Sequence, residues 1–77
     1  MIKTYYSIYD KKSKFYSTPF QQVNDAVAIR QFTNLLADQS LEPSKNPEDY
    51  QLFTIGKFDD ESGELTSMAP LEVVEGA

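Results

Sequence analysis

The run Ile2-Lys3-Thr4-Tyr5-Tyr6-Ser7-Ile8-Tyr9, the polar Asp10-Lys11-Lys12-Ser13 after it, and then Lys14-Phe15-Tyr16-Ser17-Thr18 decide the fold. Both flanking runs are rich in β-branched and aromatic residues, which suit a pleated, half-buried surface. Alternation with period two puts Ile2, Thr4, Tyr6 and Ile8 on one face and Lys3, Tyr5 and Tyr9 on the other. Four polar residues between two strands match a hairpin loop built on a type I turn. Pro19 closes the second strand, because it has no N–H to give to a ladder.

Helical character follows. Asn24 is a good N-cap and Asp25 brings negative charge to the first turn. Residues 25–38 are predicted to be helix, with Ala28, Ile29, Phe32, Leu35 and Leu36 forming one apolar stripe that can lie across a sheet. Pro43 and Pro47, among small polar residues, then impose a loop. Tyr50 to Phe58 reads as a strand with Leu52, Thr54, Gly56 and Phe58 on one face and Phe53, Ile55 and Lys57 on the other. Apolar residues on both faces suggest a central strand or one covered on its second face. Asp59 to Gly63 forms a polar turn, and Glu64 to Ser67 returns as a short edge strand. The expected architecture is α+β, a small antiparallel sheet of ββαββ order with one helix packed on one face. Residues 1–68 form that single domain. Residues 69–77 are a tail that adds a strand or an interface segment.

Composition narrows the function. The 77 residues include no cysteine and no histidine, so disulfides, the usual zinc ligands and the usual neutral-pH base are missing. Enzymatic activity is not expected, nor is a metal or cofactor. A chain of this length buries only about 60% of its unfolded surface, which makes for a thin core. No apolar run approaches the ~18 residues of a membrane span, and no signal-peptide core is present, so no membrane association is expected.

The net charge of −5 hides a division along the chain. Lys3, Lys11, Lys12 and Lys14 meet only Asp10 in residues 1–20, whereas every acid except Asp10 and Asp25 lies in residues 38–77. The basic end also holds Tyr5, Tyr9, Phe15 and Tyr16. Aromatic faces among cations are what single-stranded nucleic-acid binders place on a sheet. Lys3, Tyr5, Tyr9, Lys11, Lys12, Lys14 and Tyr16 are therefore the candidate nucleic-acid-binding residues. A protein interface and ordinary strand packing are the competing readings, since cross-strand aromatic pairs also stabilise hairpins. Phe53, Ile55, Leu71, Val73 and Val74 are the candidate interface residues, and a homodimer through the sheet or tail is expected. The acidic turn from Asp59 to Glu64 misses calcium-loop spacing and reads as a solvated charge run.

Three stretches carry a family resemblance: Tyr6-Ser7-Ile8-Tyr9-Asp10 with Pro19-Phe20, Asn24 to Arg30 with Phe32, and Asn46-Pro47-Glu48-Asp49-Tyr50-Gln51-Leu52-Phe53 followed by Gly56 to Asp60 and Gly63. Over about residues 1–65 the chain resembles the small nonstructural protein of the gokushoviruses, single-stranded DNA phages of the microvirus group. The resemblance implies a counterpart of microvirus protein C, made in the host bacterial cytoplasm. It would act where double-stranded replicative DNA synthesis gives way to single-stranded genome synthesis and packaging. The implied partners are the phage replication complex and procapsid. Single-stranded DNA, or a DNA-binding site occupied by the acidic surface, gives the alternative. No active site comes with the resemblance.

Overall fold

The first strand, β1, runs Ile2–Asp10 and is the spine of the sheet. A computed structural model describes residues 1–76. On one edge β1 pairs with two short strands, β2 (Phe15–Tyr16) and β3 (Phe20–Gln22). On the other it pairs with β4 (Tyr50–Asp59), which in turn pairs with β5 (Leu65–Glu75). All pairings are antiparallel, in the order β2-β1-β4-β5 with β3 beside β2 along the same edge of β1. The fold is mixed, one helix with one antiparallel curled sheet.

Three strands, not two, precede the helix, which corrects the expected ββαββ order to βββαββ. The cause lies at residues 17–19. The Ser17 hydroxyl accepts from the Ile8 N–H at 2.9 Å, and the Ser7 hydroxyl donates to the Ser17 carbonyl at 2.8 Å. A side chain thus takes a ladder bond and Pro19 offers none, so the returning strand breaks into two pieces.

The helix, α1, spans Asp25–Ala37, one residue short of the expected end. Asn24 caps it, its side-chain oxygen accepting from Val27 N–H at 2.9 Å. Ala28 and Phe32 of its stripe are fully buried with Tyr6 and Leu52, and Ile8, Phe20, Ile29, Leu36, Tyr50, Val73 and Val74 pack around them. Two 3-10 turns, Glu42–Lys45 and Pro47–Asp49, carry the chain back to β4.

Tyr6 ties helix to sheet beyond its apolar contacts, because its hydroxyl donates to Asp25 Oδ1 at 2.6 Å. Burial first, then the Asp25 carboxylate, push the phenol up to about 12. The folded state therefore favours the neutral phenol. That preference is fully present below pH 10, the ordinary tyrosine value, and is lost as pH rises through about 12. We expect an alkaline loss on the order of 2–3 kcal/mol from this group. Urea titrations at stepped pH should show Tyr6→Phe with a flatter decline between those limits. An equally steep decline in the variant would rule Tyr6 out as its source.

The alternation expected along β4 fails at one residue. Tyr5 pairs with Gly56 but Tyr6 pairs with Thr54, so Ile55 is an extra residue on β4. This bulge shifts the pleat: Lys57 falls opposite Thr4 on the helix side and Phe58 opposite Lys3 on the outer side, the reverse of the sequence expectation. Gly56 is required there, since a Cβ would sit 2.9 Å from the Thr66 carbonyl oxygen. The expected short strand at Glu64–Ser67 is the start of a single strand that passes residue 68 and ends at Glu75. It is irregular, with Met68 to Pro70 and Val73 lying outside the register.

The first hairpin loop, Lys11–Lys14, is fixed by backbone bonds: Lys14 N–H donates to Asp10 O and Lys11 N–H to Asp49 O, both at 2.8 Å. Lys14 has φ 64°, a left-handed conformation that favours glycine. Lys14→Gly should raise the thermal midpoint by a few degrees, read by calorimetry. A lowered midpoint would contradict this account of the loop.

Candidate nucleic-acid interface

The face of the sheet turned away from α1 gathers most of the aromatic candidates. β1 alternation puts Lys3, Tyr5, Ser7 and Tyr9 on this face, where Ser7 is buried, and Thr4 and Tyr6 on the helix side, both buried. Tyr9 lies directly opposite Tyr16, and Phe53 lies opposite Ser7, one step along from Tyr9. The three rings form a cluster across β2, β1 and β4. Tyr9 and Tyr16 have ring centroids 4.7 Å apart at 44°, and Phe53 stands edge-on to both, at 6.1 and 5.6 Å. Tyr16 is 47% exposed, so one ring of the cluster is open to solvent.

Lys11, Lys12 and Lys14 sit in the loop that joins the two tyrosine strands, all of them exposed. Asp10 spends its carboxylate on the Lys12 backbone N–H, at 2.9 Å, which holds the loop in shape. Cations on a fixed loop beside an aromatic cluster can meet phosphates while bases meet rings. Lys3 stands apart. It lies six residues from Tyr9, about 20 Å along the strand, and its Nζ is 3.8 Å from Asp60. Met1's amino group also reaches Asp60, at 2.6 Å, and with Lys3 it holds that carboxyl below its ordinary range. Tyr5 is likewise separate, in a hollow with Ile55, Gly56 and Leu65.

The other edge of the same face is acidic. Glu72 lies opposite Phe53 and Glu75 opposite Gln51, and Gln51 Nε2 donates to Glu72 at 2.6 Å. A nucleic acid on this face is therefore attracted at β2 and repelled at β5. In the turn between β4 and β5, Asp59 accepts from the Glu61 N–H at 2.9 Å, the chief reason its carboxyl is held low. Among the described residues no three acidic side chains converge on a metal-sized site.

The five interface candidates do not form one patch. Phe53 belongs to the ring cluster and Ile55 to the hollow on the outer face. Val73 and Val74 pack against the core beneath the helix, and Leu71, opposite Thr54, is 62% exposed.

The Phage ORF5 protein family matches residues 3–77. The chain belongs to that family. No curated protein and no solved structure matches it. The fold brings together Tyr9, Tyr16, Lys11, Lys12 and Lys14 from the sequence candidates, and adds Phe53. Phe53, an interface candidate from the sequence, joins the rings because the register of β1 against β4 sets it opposite Ser7. Phe15, one of the aromatics of the basic end, is 75% exposed but lies apart from the ring cluster. It lines a second hollow of about 270 Å³ on the helix side of the sheet, with Ile8, Leu35, Pro43 and Tyr50. No helix of the described residues is long and apolar enough to cross a membrane.

Proposed function

We propose that this phage protein binds single-stranded DNA through the helix-free sheet face. It acts without catalysis, as an adaptor in the host bacterial cytoplasm where duplex replicative synthesis gives way to single-stranded genome synthesis and packaging. The observation that carries the reading is the cluster of Tyr9, Tyr16 and Phe53 beside the loop lysines 11, 12 and 14. Rings offer stacking to any base, and lysines on a loop offer phosphate contacts without base specificity. Family membership supports the phage setting. The acidic side chains of β5 on the same face, Glu72 and Glu75, then meet the replication complex or procapsid.

Titrating a labelled oligothymidylate at several salt concentrations tests this. Three phosphate contacts on a single strand predict a log–log salt slope of about −2. Charge-neutral replacement of Lys11, Lys12 and Lys14 should bring the slope close to zero. Failure to bind at low salt would overturn the proposal.

A homodimer belongs to the same proposal. The edge strand β5 is 11 residues long and exposes Leu65 at 67% and Leu71 at 62%. Such an edge pairs readily with another chain, although Pro70 interrupts it. Sedimentation at micromolar concentration should give twice the chain mass, and a monomer there would remove the dimer from the proposal.

A further inference from the structure

The outer face has a second station that the ring cluster does not use. A hollow of about 320 Å³ is floored by Tyr5, Ile55 and Gly56 and walled by Pro19 on one side and Leu65 and Ser67 on the other. It exists because the ladder fails there. Ile55 has no partner in either neighbouring strand, and Met68 to Pro70 swing out of register with β4. Gly56 keeps the floor low by lacking a side chain. The result is an apolar depression between strands, with Tyr5, Thr66 and Ser67 among its lining residues.

We infer that this hollow takes one unstacked base of the same single strand that lies on the ring cluster. The inference rests on the single-stranded DNA reading and gives it a second contact and a direction. The two stations lie along the same two strands: Ile55 follows Phe53 by two residues on β4, and Tyr5 precedes Tyr9 by four on β1. Four residues of strand span about 13 Å, well over the about 3.4 Å between stacked bases. A strand touching both stations is therefore drawn out, with its bases separated. A flat ring receives a base by stacking, whereas the hollow encloses one between Pro19 and Leu65. At seven lining residues the hollow is too confined to be the core of a protein interface, which needs about 800 Å² on each side. It is at the small end of the range for ligand pockets.

The test uses oligothymidylates stepped in length from about four to about twelve nucleotides, with the full-length protein and two variants. Tyr5→Ala removes the floor; Leu65→Ser opens an exposed wall and keeps the test valid if the first variant fails to fold. The native chain should gain about tenfold in affinity once the oligonucleotide is long enough to reach the hollow. Both variants should lose that gain while binding the shortest oligonucleotides as the native chain does. Photocrosslinking with 4-thiothymidine should place an adduct on Tyr5 or Leu65 as well as on the ring cluster. Equal affinities at every length, with adducts confined to Tyr9, Tyr16 and Phe53, would overturn the hollow and leave the ring cluster standing. Absence of binding at any length in low salt would overturn both.

Discussion

Phe32→Ala should leave the chain largely unfolded in the absence of any ligand. Phe32 is 1% exposed and, among the described residues, is one of four fully buried apolar side chains, with Tyr6, Ala28 and Leu52. Truncating a buried phenylalanine to alanine costs about 3–5 kcal/mol through lost burial and the cavity left behind. A domain this small has only about 4–12 kcal/mol of stability, and its thin core places it at the low end. Ala28, one turn earlier on the helix, is too small to fill the gap, and Ile29 and Leu36 already pack against the same core. Circular dichroism and urea titration should show a lost or strongly shifted transition. Phe15→Ala is the control: the same chemistry at a site 75% exposed should move the midpoint by less than about 0.5 kcal/mol. If Phe32→Ala unfolds cooperatively with less than about 1 kcal/mol of loss, Phe32 does not hold helix to sheet.

That asymmetry between two phenylalanines shows what the sequence makes legible. Phe32 belongs to a helical stripe opened by the Asn24 cap, so its burial follows from local periodicity and was readable. β1 is equally plain, because its run of β-branched and aromatic residues marks a strand. Elsewhere the outcome depends on partners distant in sequence. Ile55 becomes a bulge because of how β4 meets β1, and that one residue exchanges the faces of Lys57 and Phe58. The splitting of the second strand depends on a hydroxyl of Ser17 reaching Ile8. β5 carries few alternating apolar residues to mark it, since it is an exposed edge paired mainly through its backbone. The candidate site divides in the same way. Its lysines and tyrosines were visible as composition. The inclusion of Phe53 and the separation of Lys3 and Tyr5 follow from register and strand length.

The double replacement Tyr9→Ala and Tyr16→Ala should produce the largest change in DNA affinity. Base stacking on an aromatic side chain is worth about 1–3 kcal/mol by alanine substitution, so Kd should rise about 5- to 150-fold. The two effects will not sum, because the rings touch each other at 4.7 Å and present one shared surface. The fold should survive: a cross-strand aromatic pair contributes only about 0.2–1 kcal/mol to the sheet, and Tyr16 is already half in solvent. Stacking and charge separate in the salt dependence. Removing rings lowers affinity by the same factor at every salt concentration, whereas removing the loop lysines changes the slope. Tyr9→Phe with Tyr16→Phe keeps the ring faces and should retain native affinity, which distinguishes stacking from hydroxyl contacts. Glu72→Gln, on the acidic edge opposite Phe53, should strengthen binding slightly at low salt, because it removes a repelling charge without touching the rings. Native affinity in a folded double alanine variant would mean that the rings serve the sheet alone, and the DNA-binding reading of this face would fail with it.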